Sequence, residues 1–493
     1  MGCTRIKGRY VVGFDGQRHR LLENGEVVYR DDTIIFCGFG YDGPVDREID
    51  AGYAIVGPGF IDLDALADLD STVLGFDNGP AWRCGRVWAS SYVERGSREV
   101  YDRTAEDFMK RYAYAQLLHN GITTALPITS LLYREWAETY DEFARAVDIA
   151  AELGLRTYLG PAYRTGLSTV RPNGRFDMHW DEPRGLTGLD DAIRFLETFD
   201  GRHDGLIRGM LAPDRIEGCS LTLLERTRDA SRALECPVRL HCCQSQLEVD
   251  TMQQRFGTSS LQLLHDTGFL GPRALLPHGL FLGGGEARPE QIERELGYLA
   301  DAGSTLVHCP IVFGRHGKAL NSFSRLRARG INIGLGTDTF PPDLIRNMHA
   351  GIMLNRVMED DSQAVSAADF YNAATLDGAR ALGREDLGRL APGARADITV
   401  FDLSGFHLGQ RVDPIQTMIM NGTGRDFKTV IVNGRIRVDG GAIAGVDYED
   451  WHRHAQTLYD GLKASYPERT HLHPPVEQIF SPSFELLPPG DAQ

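Results

Sequence analysis

Between residues 55 and 382 the chain alternates eight apolar runs of strand length with stretches of helical periodicity, and this pattern restricts its fold more than any other feature. The runs are Ile55–Leu66, Gly121–Ile128, Arg156–Pro161, Leu206–Leu211, Val238–Cys243, Ala274–Leu280, Thr305–Pro310 and Asn332–Asp338. Helical stretches are read at Ala105–Asn120, Trp136–Leu153, Ser220–Leu234, Ser259–His265, Pro289–Ala302, Leu344–Arg356 and Ala367–Leu382. Apolar runs without strict alternation, joined by helices, are the pattern of a parallel sheet with crossover connections. Eight of them predict an α/β protein built on a (β/α)8 TIM-like barrel, in which chemistry sits at the C-terminal ends of the strands.

Short β-rich pieces flank this region on both sides. Tyr10–Gly13, Glu26–Tyr29 and Thr33–Gly38 precede it, and Ala396–Phe401 and Lys428–Gly434 follow it. The two sets predict one small β-sandwich domain from residues 1–56 and 385–447, with the barrel at 57–384 inserted between them. Residues 448–493 read as a helix that gives way to an extended, proline-bearing tail.

With 42% hydrophobic and 24% charged residues the chain is of ordinary globular composition, and its net charge of −16 argues against a nucleic-acid surface. The first ten residues lack the apolar run of a secretory signal, and no stretch of about 18 uninterrupted apolar residues occurs, so a cytoplasmic location without a membrane partner is expected. Eight cysteines without CxxC spacing predict buried free thiols.

Four consecutive strand ends carry polar residues where the apolar run stops: His241, His278, His308 and Asp338. One histidine at a strand end is commonly a hydrogen-bonded core residue. Three histidines and an aspartate in series are hard to assign to packing, and they select these four from the 15 histidines and many carboxylates of the chain.

Pro58-Gly59-Phe60-Ile61-Asp62, His241, His278-Gly279, His308-Cys309-Pro310, Gly336-Thr337-Asp338 and Pro392-Gly393-Ala394-Arg395-Ala396-Asp397 together resemble, in order, the amidohydrolase superfamily, and most nearly its chlorotriazine hydrolase and cytosine deaminase-like branch. The resemblance implies that His241 and Asp338 are metal ligands and that His278 partners the activated water. Two departures stand against it. The His-x-His pair that the family carries on its first strand is Asp64-Ala65-Leu66, and the strand-five His-x-x-Glu is His241-Cys242-Cys243-Gln244. In this respect the chain is similar to molinate hydrolase-type thiocarbamate hydrolases and phenylurea hydrolases, whose first-strand motifs are altered.

Leucine ligates nothing, but Asp64, His241 and Asp338, with His278 close by, offer enough donors for one divalent ion. Zinc, manganese, cobalt and iron all suit a mixed carboxylate and imidazole set. Alternatively, Asp64 only hydrogen-bonds a loop. A second ion would need a bridging strand-four carboxylate or carboxylated lysine, as the resemblance has it, and Arg208-Gly209-Met210-Leu211 has neither.

The expected activity is hydrolysis of a C–N, C–S or C–halogen bond in a small carbamate, thiocarbamate, urea, amide or heteroaromatic, through metal-activated water. Asp338 would accept the proton, His278 would bond the attacking oxygen, and His308 would polarise the substrate. Gln244 can orient a partner but cannot take up a proton near neutral pH, which disfavours ordinary deamination. Asn78, Trp82 and Arg86 in the loop after the first strand, with Tyr163 and Arg164 after the third, are candidates for substrate binding. A homo-oligomer, dimer or tetramer, follows from the resemblance. The alternatives are a catalytically decayed binding protein and a metal-independent lyase or isomerase using His241 and Asp338 as acid and base.

Overall fold

The computed structural model describes residues 2–66, 87–129, 131, 134–284, 288–480 and 482–485. Eight strands at the centre are labelled here β1 (Phe60–Leu66), β2 (Ile122–Ile128), β3 (Arg156–Leu159), β4 (Ile207–Gly209), β5 (Val238–Arg239), β6 (Ala274–Pro277), β7 (Thr305–His308) and β8 (Asn332–Leu335). They form two four-stranded parallel sheets in the orders β4-β3-β2-β1 and β5-β6-β7-β8. Backbone hydrogen bonds join the sheets at both ends. Arg239 N donates to Leu211 O at 3.0 Å beside β4, and Asp338 N donates to Asp64 O at 2.8 Å between β8 and β1.

Every residue of β1, β2 and β3 is buried, which is why these strands read as continuous apolar runs. The glycine of the Pro-Gly-Phe-Ile-Asp motif has a steric reason: a Cβ on Gly59 would lie 2.0 Å from Thr123 Oγ1 and 2.6 Å from its Cβ. Thr123 is β-branched and buried, and cannot swing aside cheaply. A Gly59→Ala chain is expected to lose about 1–3 kcal/mol to overpacking, read as a lower thermal midpoint.

Several helices, Gln246–Phe256 and Pro414–Asn421 among them, were not legible in the sequence, and the longest of these has a physical reason. Glu182–Phe199 lies between β3 and β4, after a hairpin of Gly166–Val170 and Phe176–Trp180. Its first turns contain Pro183, Gly185 and Gly188, which lower helix propensity. Asp181 caps it by accepting from Arg184 N at 3.1 Å, and both glycines allow close packing, since a Cβ would sit 2.4 Å from Thr165 Cγ2 at 185 and 2.9 Å from Tyr163 Cβ at 188.

Two further sheets lie beside the central strands, the first built from N-terminal residues alone and the second from both chain ends. One pairs Thr33–Gly38, Glu26–Arg30, Cys3–Lys7 and Arg47–Asp50; the other runs Ala442–Ile443, Arg435–Asp439, Phe427–Val432, Ile398–Asp402, Ala54–Pro58, Tyr10–Phe14 and His19–Glu23. Ile6, Val11, Val27, Ile34, Val56, Val400 and Ile431 form a common buried cluster. A buried ion pair ties these sheets to β3: Arg156 Nε and Nη2 donate to Asp397 Oδ2 and Oδ1 at 3.1 and 3.2 Å. Asp397 also accepts from Asn433 N at 2.8 Å, and its carbonyl accepts from Gly59 N at 3.0 Å.

Helix Tyr448–Arg469 packs on helix Arg103–His119, with Phe108 against Trp451 and His454 at centroid distances of 5.9 and 4.1 Å. Among the described residues no helix is long and apolar enough to cross a membrane.

Candidate metal centre

At the C-terminal ends of the strands the backbone is bent into conformations that L-residues avoid. Cys243, His278 and Asp338 have φ of 55°, 92° and 42°. Such positions cost on the order of 1–3 kcal/mol each and persist where the surroundings fix them.

Side chains at 62, 64 and 66 share the inward face of β1. Asp62 is the structural member: it accepts from Thr337 N at 3.0 Å, Thr337 Oγ1 at 2.7 Å and Asp64 N at 3.1 Å, joining β1 to the end of β8. Burial pushes its carboxyl up to about 7 against these bonds. Leu66 packs on Ile128 and lines the cleft above.

Asp64 is fully buried, and its two oxygens face different groups. Oδ1 lies 3.4 Å from Arg239 Nε and 3.5 Å from His241 Nε2, while Oδ2 lies 3.8 Å from Cys309 Sγ. Burial alone would raise its pKa, but His241, Arg239 and His278 outweigh burial and bring it down to about 2. The His241 Nδ1 is 2.7 Å from the Asp214 carbonyl. A carbonyl only accepts, so Nδ1 carries a proton; burial opposes a second one, but the Asp64 carboxylate outweighs it, raises the pKa of the ring and faces Nε2.

His278 is buried with neither ring nitrogen hydrogen-bonded, and its Nε2 is 3.8 Å from Asp338 Oδ2. Burial, then the charge on His241, drives its pKa well below the ordinary value, so the ring is neutral and able to ligate. Asp64, His278, Cys309 and Asp338 each present one donor atom, all within 4.8 Å of one another. Orphaned imidazole nitrogens are costly in a dry interior. With two carboxylates and a sulfur beside them, they form a donor set that fits a divalent ion.

Of the residues selected from sequence, Asp64, His241, His278 and Asp338 come together. Gln244 lines the adjacent cleft, of about 740 Å³, and its backbone N is held by Glu248 Oε2 at 2.7 Å. His308 is placed elsewhere. Its ring lies among Phe323, Phe370 and Asn355 in the helical layer, and burial pushes its pKa down to about 3. The role toward substrate expected of it is therefore not available, and its neighbour Cys309 faces the centre instead. Tyr163 also turns outward, its hydroxyl 3.0 Å from Thr227 Oγ1, whereas Arg164 lines the cleft 3.6 Å from Asp214. Asn78, Trp82 and Arg86 lie outside the described residues.

Sequence reading missed Arg239, Cys309 and Glu217. Arg239 sits two residues before His241, hence on the same face, and a charge inside an apolar strand was the available signal. Its Nη1 donates to Leu126 O at 2.7 Å. Glu217 lines the cleft, and burial, then Glu248, pushes its pKa up to about 7.

The model of the amidohydrolase family matches residues 57–437. A 5'-deoxyadenosine deaminase of Methanosarcina barkeri is 27% identical over 469 residues, covering 93% of this chain and 98% of that protein. A 5-methylthioadenosine/S-adenosylhomocysteine deaminase of Pyrococcus abyssi is 26% identical over 436 residues, covering 87% and 92%. Among solved structures, an adenosine deaminase from Xanthomonas campestris with bound zinc superposes with a TM-score of 0.77 at 20% identity, over 94% of this chain and 98% of that one. An atrazine chlorohydrolase from Arthrobacter aurescens TC1 complexed with zinc gives 0.73 at 20%, over 92% and 100%. These likenesses imply a TIM-barrel-type α/β fold.

Proposed function

The chain belongs to the amidohydrolase family and is a metal-dependent hydrolase; from that premise we propose that it uses one divalent ion to hydrolyse a C–N, C–S or C–halogen bond at an sp² carbon of a small molecule. The observation that carries the reading is the buried donor set of Asp64, His278 and Asp338, which includes an imidazole whose nitrogens have no hydrogen-bond partner. Those three residues would hold the ion, with His241 adjoining through Nε2. When bound, the ion supplies Lewis acidity that brings the ionisation of water toward about pH 7.

The remaining work falls to the chain's own side chains. Asp338 accepts the proton of the attacking water, and His278 steadies its oxygen. Arg239 and His241 keep Asp64 ionised. Gln244 can donate to or accept from the substrate but cannot carry a proton, so the leaving group departs without help from position 244. Relatives named for adenosine-type nucleosides and a neighbour named for a chlorotriazine make nitrogen heteroaromatics the first class to test, ahead of thiocarbamates and ureas. The reading includes a (β/α)8 barrel over residues 57–384, a small β-sandwich from 1–56 and 385–447 with the segment 448–493 appended, and a cytoplasmic homo-oligomer. The hydrogen bonds joining the two parallel sheets support the barrel.

Turnover should be measured on a 5'-deoxyadenosine, a chloro-s-triazine and a thiocarbamate before and after exhaustive chelation. At least one substrate is expected to be consumed, with activity lost on chelation and regained with zinc, cobalt or manganese. Activity that survives complete chelation would contradict the proposal.

A further inference from the structure

We infer that Cys309 is a direct ligand of the ion, taking the coordination place that Leu66 leaves vacant; this rests on the single-ion reading above. Cys309 follows the last residue of β7, and its side chain lies on the inward face because His308 takes the outward one. The sulfur is buried and 3.8 Å from Asp64 Oδ2. It belongs to the set of four donor atoms within 4.8 Å of one another, to which His241 does not belong.

The distances have the scale of a coordination shell. Metal–ligand bonds of about 2.0–2.3 Å at tetrahedral angles separate the donor atoms by roughly 3.3–3.7 Å. Cys309 to Asp64 and His278 to Asp338 each stand at 3.8 Å, so small side-chain adjustments bring them into range. His241 reaches the other oxygen of Asp64, the one turned toward Arg239, and is thereby assigned to hold Asp64 rather than to complete the shell.

The end of β8 is shaped to admit the sulfur. A Cβ on Gly336 would lie 2.6 Å from Asp64 Cβ and 3.0 Å from Cys309 Sγ, so any larger residue would push the two donors apart. Without an ion the thiol donates to Asp64 Oδ2, lies 3.9 Å from the Val307 carbonyl and packs beside Ile61, Leu63 and Val307, so the sulfur is already held at the donor set.

Ligation breaks the S–H bond, releases the proton to solvent and forms a sulfur–metal bond from the thiolate lone pair, with no change of oxidation state. A thiolate ligand favours zinc and cobalt over manganese. The family's usual all-nitrogen-and-oxygen set is thus replaced by one with two carboxylates, one imidazole and one thiolate, and the attacking water would take a fifth place on the ion.

Zinc K-edge X-ray absorption on the full chain loaded with zinc tests this directly. A single sulfur scatterer at about 2.3 Å is expected beside nitrogen and oxygen at about 2.0–2.2 Å. The Cys309→Ser chain should lose the sulfur contribution, and the Cys236→Ser chain, altered at a buried cysteine elsewhere, should keep it. Zinc bound with only nitrogen and oxygen neighbours in the unaltered chain would overturn the role of Cys309 and leave the single-ion reading intact. Absence of bound zinc would overturn both. Should Cys309→Ser fail to fold, the unaltered chain's spectrum still decides.

Discussion

Replacing Asp338 by asparagine is expected to lower turnover by about 10²–10⁴-fold, the range associated with loss of a positioned proton acceptor, and to weaken metal retention at the same time. The change is nearly isosteric. Asparagine tolerates the left-handed backbone at residue 338, where φ is 42°, and the backbone bond from its N–H to Asp64 O is unaffected. The fold should therefore survive, so the loss reports on chemistry. What disappears is the negative charge 3.8 Å from His278 Nε2 and the only protonatable oxygen pair at the end of β8. Measuring kcat and metal content together on the same preparation checks both halves of the expectation. Unaltered turnover would remove Asp338 from the site.

The second large effect concerns stability. Arg156 and Asp397 are 1% and 4% exposed and meet through two hydrogen bonds. Removing either partner leaves an uncompensated charge in a dry interior, which costs about 3–5 kcal/mol. Arg156→Met and Asp397→Asn should each lower the unfolding free energy extracted from urea titration by that amount, and the double variant should lose clearly less than the sum, because the penalty arises from the charge left behind. Losses below about 1 kcal/mol in both single variants, the range of exposed pairs, would show that water reaches the pair. The pair also explains the Gly-x-x-Ala-Asp turn physically: its aspartate anchors β3, Asn433 and Gly59 at one point, where the sheets built from both chain ends meet the central strands.

Much of this arrangement could be read from the residues, and the failures have particular causes. The parallel strands were legible because burial on both faces makes them continuous apolar runs. The same property hid their register. In Leu306-Val307-His308-Cys309 no polar alternation marks which side chain faces inward, so side-chain chemistry alone favours His308 although Cys309 holds the inward place. Tyr163 and Arg164 follow the same rule, the tyrosine turning out toward Thr227 and the arginine into the cleft. Helix Glu182–Phe199 escaped because its packing against Tyr163 and Thr165 depends on glycines that, in sequence, argue against a helix. Asp64 could be read as a candidate ligand from strand geometry alone. Its setting between Arg239, His241 and Cys309 could not, since those residues lie far apart along the chain.

Metal analysis of the purified chain combined with anomalous diffraction at the zinc edge tests the central claim most directly. About one equivalent per chain is predicted, with a single anomalous peak bounded by Asp64, His278 and Asp338. No bound metal after incubation with zinc, manganese or cobalt, with catalytic activity nonetheless intact, would contradict it.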